Sequence, residues 1–118
     1  MPWNFDSDKP IFIQLVERLE SDIVSGKYAP GDKLPTVREL AVEAAVNPNT
    51  MQKAYGELER LGLVYTQRTN GRFVTEDAGL IEKTRKELAK KTAQVFLSRM
   101  KEIGISREEA VKLLGGKA

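Results

Sequence analysis

The chain has 118 residues, of which 41% are hydrophobic and 31% charged, with 19 Lys+Arg against 17 Asp+Glu and neither cysteine nor histidine. This is enough apolar material for one ordinary domain or a small domain with an appendage, and no apolar run approaches the roughly 20 residues that cross a bilayer. Without cysteine there is no disulfide framework, and without histidine the commonest general base is missing while carboxylates are the strong metal ligands left. Neither a cofactor nor a metal is expected, and an enzyme is disfavoured. The start, Met1-Pro2-Trp3-Asn4-Phe5, has no basic and apolar leader, so the expectation is a cytoplasmic protein with no membrane partner.

Residues 1–9 read as extended, with Trp3 and Phe5 as docking points. Pro10 suits a first helical turn. Phe12, Leu15, Val16, Leu19 and Ile23 then recur at helical spacing up to Gly26, which predicts a helix over 10–25. The stretch from Tyr28 to Pro35 reads as a loop turning at Pro30-Gly31. Thr36 and Glu39 make the pattern of a capping box, opening a second helix that runs to about Ala45 with Val37, Leu40, Ala41 and Ala44 inward. Asn47 is a good N-cap and Pro48 follows it, so a third helix starts there. Its buried stripe is Met51, Ala54, Tyr55, Leu58 and Leu61, and Gly62 ends it. Residues 63–67 and 72–75 are strand-like, and Asn70-Gly71 between them signals a hairpin. A long helix over 77–103 follows, then a short one over 106–114 opened by a second capping box at Ser106 and Glu109, with Gly115 and Gly116 fraying the tail.

The fold class is therefore mainly α with a small β-hairpin. A winged helix-turn-helix over residues 1–76 is followed by a C-terminal two-helix dimerisation region over 77–118. Asn47 leads the third helix, and the face left outside its buried stripe carries Asn49, Thr50, Gln52 and Lys53. Amides at such positions bond adenine bidentately, and hydroxyls bond phosphate or base edges. A helix N-terminus adds free N–H groups and a positive dipole end. Lys33, Thr36 and Arg38 gather where the second helix would meet a phosphate backbone, a contact that supplies affinity and register more than sequence information. Arg68, Asn70, Gly71 and Arg72 make the wing tip, suited to a minor groove or its flanking phosphates. In the tail, Leu80, Ile81, Leu88, Val95, Phe96, Met100, Ile103, Leu113 and Leu114 form apolar positions that a second copy would cover, giving a two-fold homodimer.

Overall charge gives weak support. Residues 1–76 carry 9 Lys+Arg against 11 Asp+Glu, and residues 77–118 carry 10 against 6. The case for double-stranded DNA must rest on where cations sit.

The residues resemble the GntR family of bacterial transcriptional regulators over about 10–75. The likeness runs through Gly26, Gly31-Asp32, Leu34-Pro35-Thr36, Arg38-Glu39-Leu40-Ala41, Val46-Asn47-Pro48-Asn49-Thr50, Ala54-Tyr55, Leu61-Gly62-Leu63 and Asn70-Gly71-Arg72. The resemblance implies DNA contacts at Arg38, Asn49, Thr50, Gln52 and Gly71. Many members carry arginines where this chain has Pro48 and Gln52, which implies a different operator. Most members continue into a large effector-binding domain. The short helical tail here is similar instead to the YtrA-like subfamily, whose members often repress transporter operons. The expectation is a transcriptional regulator, a repressor that binds a near-palindromic operator as a homodimer. Two rivals are a winged-helix protein-interaction module, favoured by the acidic first part, and a regulator holding a small-molecule effector by its C-terminal helices.

Overall fold

The computed structural model describes residues 3–115; Met1, Pro2, Gly116, Lys117 and Ala118 lie outside the described residues. The elements are α1 (Ile11–Val24), α2 (Val37–Ala44), α3 (Pro48–Arg60), β1 (Val64–Gln67), β2 (Gly71–Val74), α4 (Ala78–Glu102) and α5 (Arg107–Leu113). They fall into two compact units, Met1–Arg85 and Lys86–Ala118. The sequence places a boundary after residue 76, whereas the break between the units lies inside α4.

In the first unit α3 is central, packed against both α1 and α2. Leu15, Leu19 and Ile23 of α1 meet Met51, Ala54, Tyr55 and Leu58 of α3, all within 1% of full burial. Burying a side chain of this size contributes roughly 1.5–3 kcal/mol. Ala41 and Ala44 of α2 are buried beside Ala54, and three side chains this small let the two backbones approach closely. Trp3 docks as expected: its ring is buried and lies under the Arg18 guanidinium, 4.0 Å from the ring centre. Leu80 and Ile81, at the start of α4, pack on this same core. These two positions are thus filled from within the chain, which shortens the apolar stripe that the sequence offers to a second copy.

Both capping boxes form, at Thr36 with Glu39 and at Ser106 with Glu109. Asn47 caps α3 by accepting from the Asn49 N–H at 2.7 Å, with Pro48 at the first helical position. The turn between α2 and α3 pivots on Ala45, whose φ of 60° is left-handed, and the Val46 N–H closes back onto the Ala41 carbonyl at 3.0 Å.

The hairpin differs in detail from the sequence reading. β1 and β2 pair antiparallel from Val64 with Val74 to Gln67 with Gly71, so Gly71 belongs to the second strand and the connection is Arg68-Thr69-Asn70. The Asn70 N–H donates to the Gln67 carbonyl at 3.1 Å, and Gly71 follows at φ 105°, a conformation favouring glycine. The loop before α2 is also more ordered than its prolines suggest. Leu34 N–H donates to Arg72 at 2.8 Å and Val74 N–H to Asp32 at 2.9 Å, so residues 31–34 line the outer edge of β2 like a third strand.

In the second unit α4 continues to Glu102, a turn at Gly104 follows, and then α5. Ala110 is the one fully buried residue among its described members. Leu88, Phe96 and Met100 are half-buried, while Val95, Ile103, Leu113 and Leu114 are exposed, the last three by 68% or more. No helix among the described residues is long and apolar enough to cross a membrane.

Left-handed backbone costs an L-residue roughly 1–2 kcal/mol, part of which glycine returns as unfolded-state entropy. Ala45→Gly should therefore raise unfolding stability by about 0.5–1 kcal/mol in urea denaturation, with the α2–α3 turn unchanged.

Candidate nucleic-acid interface

Helical geometry sorts α3 into two faces. Met51, Ala54, Tyr55 and Leu58 go inward, so Asn49, Gln52, Lys53 and Gly56, spaced three and four apart, form one exposed stripe. Thr50 lies half-exposed at its edge. The stripe begins at the helix N-terminus, where the positive end of the backbone dipole and unpaired N–H groups favour an anion. Lys53 leans on α1, with its ammonium 4.6 Å from the Phe12 ring centre. Asn47 is partly committed, because its side-chain oxygen holds the Asn49 N–H.

The start of α2 is tied to α3 through Tyr55. The Tyr55 hydroxyl donates to the Pro35 carbonyl at 2.7 Å. Thr36 uses its oxygen as the cap acceptor for the Glu39 N–H, and Glu39 returns a carboxylate to the Thr36 N–H. That hydrogen bond to the backbone holds the Glu39 carboxyl below its usual range. Arg38 is exposed and forms no salt bridge with a described residue; the possible surface partners Asp32 and Glu39 are turned to backbone N–H groups instead.

Between α2 and the wing lies a cleft of about 190 Å³ whose lining includes Lys33, Thr36, Tyr55, Arg68, Gly71 and Arg72. Lys33 crosses to the wing: a Cβ on Gly71 would stand 3.0 Å from its Cε. Substitution there would thus both strain the backbone and displace the lysine. Arg68, Thr69 and Asn70 are exposed at the tip. Arg72 is placed otherwise than at a free wing tip. It is half-buried, its Nε donates to Glu59 at 2.8 Å, and its guanidinium sits 5.3 Å from the Tyr55 ring centre. Arg72 therefore faces the underside of the wing.

The structure thus brings Lys33, Thr36, Arg38, Asn49, Thr50, Gln52, Lys53, Arg68 and Asn70 to the surface of one compact unit. Sequence reasoning missed Glu59 and Thr66. Nothing in helical spacing distinguishes Glu59 from the neighbouring Glu57, which pairs with Arg60 along the helix.

A helix-turn-helix carrying an amide-rich exposed helix, with a cationic wing beside it, defines the winged-helix class of transcriptional regulators. The chain belongs to the bacterial regulatory proteins of the gntR family, whose pattern matches residues 13–74. The HTH-type transcriptional regulator YhcF from Bacillus subtilis (strain 168) is 41% identical over 108 residues, spanning 92% of this chain and 89% of that one. The HTH-type transcriptional repressor YtrA from the same organism is 46% identical over 72 residues, 61% of this chain and 55% of that one. Among solved structures, a GntR family transcriptional regulator from Listeria monocytogenes superposes with a TM-score of 0.85 at 42% identity, covering 94% of this chain and 97% of that one. The AraR DNA-binding domain in complex with operator ORE1 matches with a TM-score of 0.55 at 34% identity, over 64% of this chain and 94% of that one.

Burial, followed by the nearby Tyr28, pushes the Tyr55 phenol well above its ordinary 10.0. The folded chain keeps this proton where the unfolded chain releases it, so the contribution is complete below pH 10.0 and lost as pH rises past it. Tyr55→Phe should cost about 1 kcal/mol at neutral pH by removing the bond to Pro35. It should also flatten the alkaline fall of the urea midpoint, measured from pH 8 to 11.

Proposed function

We propose that this chain is a homodimeric repressor that binds a near-palindromic operator in double-stranded DNA and performs no catalysis. One observation carries the reading: the exposed Asn49, Thr50, Gln52 and Lys53 stripe shares one compact unit with the exposed Arg38 of α2 and with a cleft that brings Lys33 and Thr36 together with Arg68 of the wing. In this reading α3 enters the major groove, where Asn49 and Gln52 meet base edges. Arg38, Lys33 and the Thr36 hydroxyl hold phosphates, and the tip at Arg68-Thr69-Asn70 probes the adjacent minor groove, with Arg68 on a phosphate that borders it. Arg72 acts from beneath the wing. The operator complex of the AraR domain supports the DNA partner, and the repressor named YtrA supports the sign of regulation.

Support for two copies comes from the second unit. Val95, Ile103, Leu113 and Leu114 are exposed apolar side chains, with Leu88, Phe96 and Met100 half-covered beside them. A cleft of about 490 Å³ lined by Leu97, Ile105, Ser98 and Lys101 among others opens in the same segment. Covering such positions with the same positions of a second chain gives a closed two-fold assembly, which matches a palindromic site. In this role the contact is made by residues after Arg85, while Leu80 and Ile81 support the winged core.

The testing experiment is binding to duplexes from the protein's own upstream region at two salt concentrations, with mass measured in solution. Tight, salt-sensitive binding of a dimer to one near-palindromic segment is the expected result; a monomer, or binding indifferent to sequence, would sink the reading. Arg38→Ala should weaken binding to all duplexes alike and lower the salt slope by about 1. Gln52→Ala should instead change preference between operators by roughly 1–3 kcal/mol.

A further inference from the structure

We infer that Glu59 is a positioning residue that sets the wing against the reading helix, an inference that rests on the DNA-binding function proposed above. A single oxygen, Glu59 Oε1, accepts from the Thr66 hydroxyl of β1 at 2.8 Å and from Arg72 Nε of β2 at 2.8 Å. One carboxylate in the last turn of α3 thereby holds both strands of the wing. One helical turn earlier, on the same side of α3, the Tyr55 ring receives the Arg72 guanidinium at 5.3 Å. The wing is therefore clasped to the helix that carries Asn49 and Gln52.

The clasp matters because Val64 and Val74 seat only the base of the wing in the core, and beyond them its residues are exposed or half-buried. Its strands are four residues each, and a two-stranded hairpin is marginal alone. On the outer side of β2, residues 31–34 supply backbone bonds. Towards α3, Glu59 supplies the side-chain bonds that link the strands to the helix. The side chains of Arg72 and Glu59 are 24% and 34% exposed, so the pair is partly solvated and its worth lies in direction more than in bulk stability. The hydrogen bond from Arg72 also holds the Glu59 carboxyl below its ordinary range. Pairing also withdraws the Arg72 charge from DNA, leaving Arg68 as the wing-tip cation. Arg68 can meet a phosphate while α3 is seated only if the wing keeps its angle.

The test is a double-mutant cycle on operator binding, read as the slope of log affinity against log salt. In the wild-type background, Arg68→Ala should lower the slope by about 1, the loss of one phosphate contact. In a Glu59→Ala background the same change should lower it by about 0, because the misdirected tip no longer reaches the backbone. Gln52→Ala should cost the same fold in affinity in both backgrounds, a selectivity that a loss of overall stability would not produce. Glu59→Gln, which keeps an acceptor for Thr66 but loses the charge, should fall between and serves if the alanine variant does not fold. An equal slope change for Arg68→Ala in both backgrounds overturns the inference. If the wild-type protein shows no salt-sensitive, sequence-preferring binding, the DNA reading fails separately. The clasp is then judged on the free protein from backbone order parameters. A fall at residues 66–70 in Glu59→Ala, with α1–α3 unchanged, supports it, and unchanged values at 66–70 overturn it.

Discussion

The arrangement of the first unit depends on one buried phenol. Tyr55 is fully buried in α3, yet its hydroxyl reaches the Pro35 carbonyl just ahead of α2. A buried O–H without a partner is costly, so the bond fixes where α3 stops sliding along α2. That register fixes the helix that carries the Asn49–Lys53 face against the segment that carries Lys33 and Thr36. The same ring carries the Arg72 guanidinium, so the wing takes its reference from this residue too. Hydrophobic burial holds the three helices together, but it is non-directional, and the polar edge of Tyr55 supplies the direction.

The charge of this unit is misleading when counted and informative when placed. Its carboxylates outnumber its cations, yet they are largely turned to internal partners. Glu39 caps α2, Glu59 holds the wing, Glu57 pairs with Arg60, and Asp32 accepts from the Ala29 N–H. Arg38 and Arg68 form no salt bridge among the described residues, while Lys33 and Lys53 lean their stems on the wing and on α1. A face of the protein can therefore be cationic while the domain is acidic overall, and the field that meets a phosphate is that of the face.

The second unit follows a different logic. Its short helix α5 is well capped at Ser106, but α4 and α5 bury little of their own apolar surface. Capping bonds and helix propensity make such helices form locally, whereas a covered apolar face is what fixes them in an assembly. The apolar positions of α4 divide accordingly: its first turn belongs to the winged core, and the later ones are only partly covered within the chain.

Local chemistry in the sequence determined the element order, because caps, glycine stops and hydrophobic period act over a few residues. Thr36 with Glu39, Asn47 before Pro48, and Ser106 with Glu109 each place a helix start that the structure reproduces, and the α3 stripes follow from 3.6 residues per turn. Most of the candidate interface was legible for the same reason. The tertiary structure decided what depends on contacts between distant residues. Asn70-Gly71 announced a hairpin, but pairing across the strands put Gly71 inside β2 and left a three-residue connection. The segment before α2 looked like loop and became an edge partner of β2, since its backbone bonds are made to residues about 40 positions away. Arg72 read as a wing-tip cation until folding brought Glu59, 13 positions earlier in sequence, within 2.8 Å. No periodicity encodes that meeting, because it requires the hairpin to fold back over the helix that precedes it.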